Sequence, residues 1–192
     1  MRKIITKQSE ARKRKRNQLI IGAILVLVMG LSTIGYSLSS GGTGDSSSSI
    51  IYNGIQFTKS SGLWYAEIND LTFSFSYNPK EVEKTETIVN SLNSYSEKPL
   101  YIYSENSNAI TEIYRNLVYS NRIVLRMQEA CPEGQTCTVD MPTKNCTNNF
   151  IIIKSANESK ITQTDNCVFI EGKTEDLVKQ TDSFLYKITG IQ

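Results

Sequence analysis

Histidine is absent from the whole 192-residue chain, and with it go Ser-His-Asp and Cys-His catalysis, histidine-bound zinc and the side chain best suited to moving protons near neutral pH. Ser-Lys catalysis would survive that loss, yet no Ser-x-x-Lys occurs. The phosphate-cradling Gly-x-x-x-x-Gly-Lys and Gly-x-Gly-x-x-Gly patterns are missing too, as is an Asp-x-Asp-x-Asp-Gly calcium loop. Proline is scarce at four residues, tryptophan occurs once, no cysteine precedes position 131, and no internal repeat is found. Carboxylates are what remains for chemistry. Glu67 with Asp70, and Glu171 with Glu175 and Asp176, are the candidate acid/base or hard-cation groups. A helix start already accounts for Glu175 and Asp176, and Glu81, Glu83 and Glu86 read as a solvated face. No catalytic residue, metal ligand or cofactor is therefore assigned.

Long apolar runs are equally rare, and the one present organises the chain. Leu19 to Leu38 carries no charge over 20 residues; at about 1.5 Å rise per residue it matches a hydrocarbon core of about 30 Å. Residues 1–17 before it hold eight basic groups and one acid, a charge of +7, whereas the remaining 13 basic and 18 acidic residues give −5. Lys and Arg beside a spanning helix stay on the cytoplasmic side, so Arg12–Arg16 reads as a topology determinant rather than a nucleic-acid patch. The expected organisation is a cytoplasmic tail 1–18, a transmembrane signal anchor 19–38, a Ser/Gly linker 39–49 and an extracytoplasmic domain 50–192. The rival is a cleaved signal peptide, for which Ser37-Leu38-Ser39 is the best but poor site, releasing a secreted protein near Ser39.

The Gly/Ser tract from Ser37 to Ser49 is a flexible coil with nothing to bury, and its 13 residues reach roughly 20 Å. The 143 residues beyond it suffice for one domain with a core of its own. Ile50 to Tyr77 reads as a four-stranded antiparallel meander, because turn pairs Asn53-Gly54, Ser61-Gly62 and Asn69-Asp70 separate short apolar runs. Leu71, Phe73, Phe75 and Tyr77 alternate with hydroxyl residues, the pattern of a half-buried strand. Asn78-Pro79-Lys80-Glu81 has the form of a helix start, its extent left open because the β-branched Thr85, Thr87, Ile88 and Val89 fit a strand as well. Leu100 to Tyr103 reads as a strand buried on both faces. Ile110, Ile113, Tyr114, Leu117 and Val118 then mark an amphipathic helix ending at Asn121-Arg122. A strand over 123–127 comes next, with the strand-helix-strand order predicting a parallel crossover and a mixed sheet. Phe150–Ile153 and Cys167–Ile170 read as a hairpin around a turn at Ala156–Lys160. A last helix is expected from the N-cap Thr174 to a stop at Gly190. The fold class is α+β, an antiparallel or mixed sheet with two to three helices on it.

Cys131, Cys137, Cys146 and Cys167 all fall in the part expected outside the cell, where an even count reads as disulfides. Four cysteines allow three pairings. Cys131–Cys137, closing the Pro-Glu-Gly-Gln-Thr loop, and Cys146–Cys167, at the base of the hairpin, are preferred, each contributing roughly 2–4 kcal/mol. Zinc is the sharp alternative, but spacings of 5, 8 and 20 intervening residues lack the close pairs of structural zinc sites and of redox Cys-x-x-Cys. Trp64, Tyr65, Tyr101 and Tyr103 are candidate binding residues, since aromatic side chains supply contact area at interfaces; the competing reading puts Trp64 in the core and the tyrosines at strand edges. Asn157 and Asn145 match the N-glycosylation acceptor pattern.

The basic start with one apolar segment, Phe75-Ser76-Tyr77-Asn78-Pro79 after a meander, the spaced cysteines and the ending Asp182-Ser183-Phe184-Leu185-Tyr186-Lys187-Ile188-Thr189-Gly190-Ile191 together resemble the small membrane-anchored hypothetical proteins common in archaea of reduced genome. That resemblance implies an anchored extracytoplasmic domain and carries over no active site. The expected partners are the lipid bilayer and another protein or surface component, with no nucleic acid. The expected role is a binding or assembly module. A tethered hydrolase using carboxylates is the alternative, and buried acids converging in a concavity with raised pKa values would favour it.

Overall fold

A computed structural model describes residues 20–22, 24–25, 48–137 and 139–192. Within the apolar segment only Ile20–Gly22 and Ile24–Leu25 are described, as helix. The expectations for the basic tail, for the rest of 19–38 and for nearly all of the linker fall outside the described residues. No helix among the described residues is long and apolar enough to cross a membrane. Ser47–Gln192 forms a unit of its own.

The meander forms as the turn pairs predict: β1 (Ser49–Tyr52), β2 (Ile55–Ser60), β3 (Leu63–Ile68) and β4 (Leu71–Phe75) lie antiparallel in chain order. Asn53 and Gly54 take φ values of 48° and 80°, and Ser61-Gly62 and Asn69-Asp70 repeat the left-handed pair. This is the geometry a two-residue hairpin loop requires, and Asn, Asp and Gly reach it at least cost. Period-two alternation then sends Phe57, Trp64, Ala66, Phe73 and Phe75 into the core and leaves Gln56, Tyr65 and Glu67 outside.

Asn78 does not open a helix. Its amide N–H donates to Glu81 Oε2 (2.8 Å) and its Oδ1 accepts from Lys80 N–H (2.9 Å), so the reciprocal capping contacts exist. The β-branched Thr85, Thr87, Ile88 and Val89 then keep the chain extended. Thr87 donates to the Ile161 carbonyl (2.6 Å) and Asn90 N–H to Gln163 Oε1 (2.8 Å), making this stretch a strap along a strand edge.

A second sheet has the order β10-β11-β9-β5-β6, from β5 (Pro99–Ser104), β6 (Arg126–Glu129), β9 (Phe150–Ser155), β10 (Lys160–Thr164) and β11 (Cys167–Gly172). β5 and β6 are parallel, as the crossover predicts. β6 starts at Arg126 instead of 123, because Ile123 and Val124 stay on the helix exit, both amides donating to the Leu117 carbonyl. The expected 150–170 hairpin is corrected: β9 and β11 are parallel neighbours, and β10, unforeseen in the sequence, returns on the far side of β11. The meander stays a separate sheet.

Between the sheets lie α1 (Ser107–Tyr114), continued by a π-turn over Arg115–Tyr119, and α2 (Leu177–Ile188). Asn106 caps α1 by accepting from the amides of Asn108 and Ala109. The N-cap of α2 is Asp176; Thr174, expected there, instead pairs its hydroxyl with Ser155 Oγ (3.0 Å). Gly190, at φ 78°, ends the helix as expected. α2 is buried almost all round. Its Tyr186 packs against Phe57 and Phe75 of the meander, while Leu177, Phe184 and Leu185 share a core with Ile151, Ile153, Val168 and Ile170 of the second sheet.

Candidate functional site

The second sheet has two apolar faces, and alternation decides what each meets. Leu100, Ile102, Ile151, Ile153, Val168 and Ile170 face the helices. Tyr101, Tyr103, Phe150, Ile152, Cys167 and Phe169 face the other way and form a separate cluster. Among the described residues no helix covers that face. The excursion 130–148 folds over it, held by the short parallel pair β7 (Cys131–Pro132) and β8 (Thr143–Lys144). Disulfides Cys131–Cys137 and Cys146–Cys167 are formed, and no free cysteine occurs among the described residues. The first closes the loop expected from spacing; the second ties the end of the excursion to the first residue of β11. Two disulfides fit an oxidising environment.

Between excursion and sheet remains a groove of about 360 Å³, within the range of small-molecule sites. Phe150, Ile152 and Phe169 make its floor, and Gln135, Lys144 and Lys154 stand at its rim. Lys144 Nζ lies 4.6 Å from the Tyr101 ring centroid and Lys154 Nζ 5.6 Å from that of Tyr103, both in cation–π range. Neither lysine has a carboxylate partner among the described residues. Glu171, opposite Lys154 in register, is held by Lys160 at 3.2 Å. Gln135 donates through Nε2 to Tyr103 Oη (2.7 Å), while its Oε1 is buried with no donor. A buried acceptor left unmet costs about 1–3 kcal/mol. It is the one atom of the groove that the fold itself leaves in need of a partner.

A polar cluster occupies the junction of β4, α1 and α2. Glu112 accepts from Ser76 Oγ (2.5 Å) and pairs with Arg115, and Asp182 Oδ2 accepts from Tyr77 N–H (2.8 Å). Burial holds the Asp182 carboxyl well above its ordinary range; the Glu112 charge adds to this and the Tyr77 amide opposes it. Burial likewise raises the Tyr186 phenol, which donates to the Tyr77 carbonyl (2.5 Å). Glu112 and Arg115 open onto a polar cavity of about 600 Å³ that also takes in Ser76, Asn106 and Thr174. Asp182 lies beneath it, out of contact with solvent.

The raised Asp182 fixes a pH dependence. A carboxyl whose native value exceeds its unfolded one contributes stability in full below about pH 4, and that contribution is lost as pH rises through the native value. Asp182→Asn keeps the shape and still accepts from Tyr77 N–H, but has no proton to lose. Thermal melts between pH about 4 and about 8 are expected to show a smaller fall for the variant than for the parent. Parallel curves would refute the assignment.

The other sequence candidates are dispersed. Trp64 is 6% exposed inside the meander core, with Lys59 Nζ 5.4 Å from its ring, and Tyr65 is 36% exposed on the meander's outer face. Tyr101 and Tyr103 do not line the groove themselves: Tyr101 lies under Lys144 and Tyr103 accepts from Gln135. Asn145 is exposed at the groove rim, where its Oδ1 accepts from Thr147, and Asn157 is exposed between β9 and β10. Glu67 and Asp70 lie at the β3–β4 end, and Glu175 and Asp176 at the start of α2. Among the described residues no three acids or cysteines are placed to hold a metal ion.

Sequence reasoning missed Lys144, Lys154, Gln135 and Phe169 on one side, and Glu112, Arg115 and Asp182 on the other. Phe150-Ile151-Ile152-Ile153-Lys154 hides its period because both faces are apolar until Lys154. Asp182 did leave a trace, as a charge within a helix whose neighbours on every side prove buried. No protein-family model, curated protein or solved structure matches the chain.

Proposed function

We propose that the chain is a single-pass membrane protein, its N-terminus cytoplasmic, whose extracytoplasmic α+β domain is a binding module, with the groove over the second sheet as its ligand site. The groove carries this reading. A concavity with an apolar floor, two lysines without acidic partners among the described residues and one unmet acceptor has the make-up of a recognition site. The charge step across Leu19–Leu38 and the two disulfides support the placement outside the membrane. The likeness to small anchored archaeal proteins belongs to the same proposal.

The test uses the full chain in cells. Added protease is expected to remove the C-terminal domain from intact cells, and alkaline extraction to leave the remainder with the membrane. A photo-reactive phenylalanine in place of Asn145 is expected to give a discrete adduct that the same residue in place of Glu67, on the meander's outer face, does not. A protease-shielded domain with reduced thiols sinks the topology. Equal labelling at both positions, or none at either, sinks the groove.

A second reading, hydrolysis by carboxylates, draws on Glu112 and Asp182 beside the polar cavity. It predicts turnover of at least one member of a panel of chromogenic glycosides and esters, abolished by Glu112→Gln. Absence of turnover across the panel, or turnover unchanged in that variant, removes it.

A further inference from the structure

The chemistry of the groove narrows the kind of molecule it can hold. Its floor is apolar: the half-buried Phe169 faces the groove with the buried Phe150 and Ile152 behind it, and this calls for a flat or aliphatic body. Its rim supplies two ammonium groups that the protein does not neutralise: Lys144 and Lys154 are half-buried, rest on tyrosine rings and pair with no described carboxylate. Glu133 is the one acid among the residues lining the groove, and it is exposed at the lip. The buried Oε1 of Gln135 accepts from nothing in the protein, so a bound molecule that offers it an N–H or O–H relieves a cost already present in the empty fold. If the amide were turned over, the free group would be a donor and would still lack a partner. A volume of about 360 Å³ limits the occupant to roughly one ring with a short chain.

From these features, and building on the proposal that the groove is a ligand site, we infer that it takes a small aromatic carboxylate that also carries a polar hydrogen-bonding group. The ring lies on Phe169, the carboxylate meets Lys144 and Lys154, and the polar group satisfies Gln135. Burial of the ring supplies most of the affinity, and the charge sets the choice of ligand, because a neutral analogue leaves the lysines with no anion.

The probe is 3-(4-hydroxyphenyl)propionate, titrated against the full chain in nanodiscs of zwitterionic lipid and followed by saturation-transfer NMR, with empty nanodiscs as the blank. Binding is expected in the range below roughly 10 mM. The carboxamide of the same molecule is expected to bind about tenfold more weakly, since a charge-assisted hydrogen bond contributes about 1.5–3 kcal/mol. Removing the phenol hydroxyl should weaken binding by a smaller factor. Lys144→Gln with Lys154→Gln should weaken the carboxylate about tenfold and abolish its preference over the carboxamide, while the thermal melt stays that of the parent. Lys84→Gln, at an exposed site outside the groove, should change neither. Equal binding of acid and amide, or no binding of any probe, overturns the ligand class. An adduct at position 145 obtained despite that result would leave the tethered binding module standing and the aromatic carboxylate rejected.

Discussion

Replacing Asn116 by leucine is expected to cost the domain about 2–6 kcal/mol, read as a shift in the urea midpoint with unchanged slope. Asn116 is fully buried on the π-turn. Its Oδ1 accepts from Ser74 N–H (2.8 Å), and its Nδ2 donates to the Ser74 carbonyl (2.7 Å) and to that of Glu112 (3.0 Å). One side-chain amide thus does what a fifth strand would do for the outer edge of β4. Leucine fills similar space but leaves the Ser74 N–H buried and unmet and its carbonyl with only the long contact from Arg115 Nη2 (3.5 Å), at about 1–3 kcal/mol each. Asn121 repeats the clasp two residues along at Thr72 (3.0 and 2.9 Å), at an exposed site where water can replace it. Asn121→Ala is therefore expected to cost only about 1 kcal/mol. Equal costs at the two positions would show that the buried edge does not depend on Asn116. An opened β4 edge is also a template for pairing between chains, so the leucine variant should aggregate more readily on refolding.

The second large effect is removal of the Cys146–Cys167 bridge by alanine at both positions. With a sequence separation of 21, chain entropy gives about 3 kcal/mol, against about 2 kcal/mol for Cys131–Cys137 with its separation of 6. The difference should be larger than that, because Cys167 is buried beside Phe150 and its loss leaves a gap in the sheet face. The two variants should also part in function. Losing Cys131–Cys137 frees the wall from Pro132 to Gln135 and should weaken probe binding with little loss of stability. Losing Cys146–Cys167 should lower both. Thermal melts with and without reductant check the order; a melt indifferent to reductant, or a reversed order between the variants, would refute it.

The meander was legible because each of its turns is a dipeptide that tolerates left-handed backbone, and local chemistry at Asn53-Gly54, Ser61-Gly62 and Asn69-Asp70 needed no distant contact. The parallel β5–β6 crossover was legible from chain order alone. The helix start at Asn78 fails for the converse reason: its capping contacts are local and do form, but the β-branched residues that already allowed a strand, and a place along β10, decide the rest. The order β10-β11-β9 could not be had from periodicity, since all three strands satisfy it in several arrangements. The groove shared that fate. Lys144 and Lys154 are ten residues apart on different strands, and only the excursion 130–148, folding back on the sheet, sets them at one rim.

What the sequence by itself determined is the charge step around an uncharged stretch of membrane length, the absence of histidine chemistry, the four-strand opening and the bridges between near cysteines. Each depends on residue type and short spacing, which act before folding. The tertiary structure alone decided that Asn116 finishes an edge, that Asp182 is fully buried and that an excursion of the chain leaves a groove over one sheet face. Those depend on burial, and burial is a property of what the rest of the chain places around a residue.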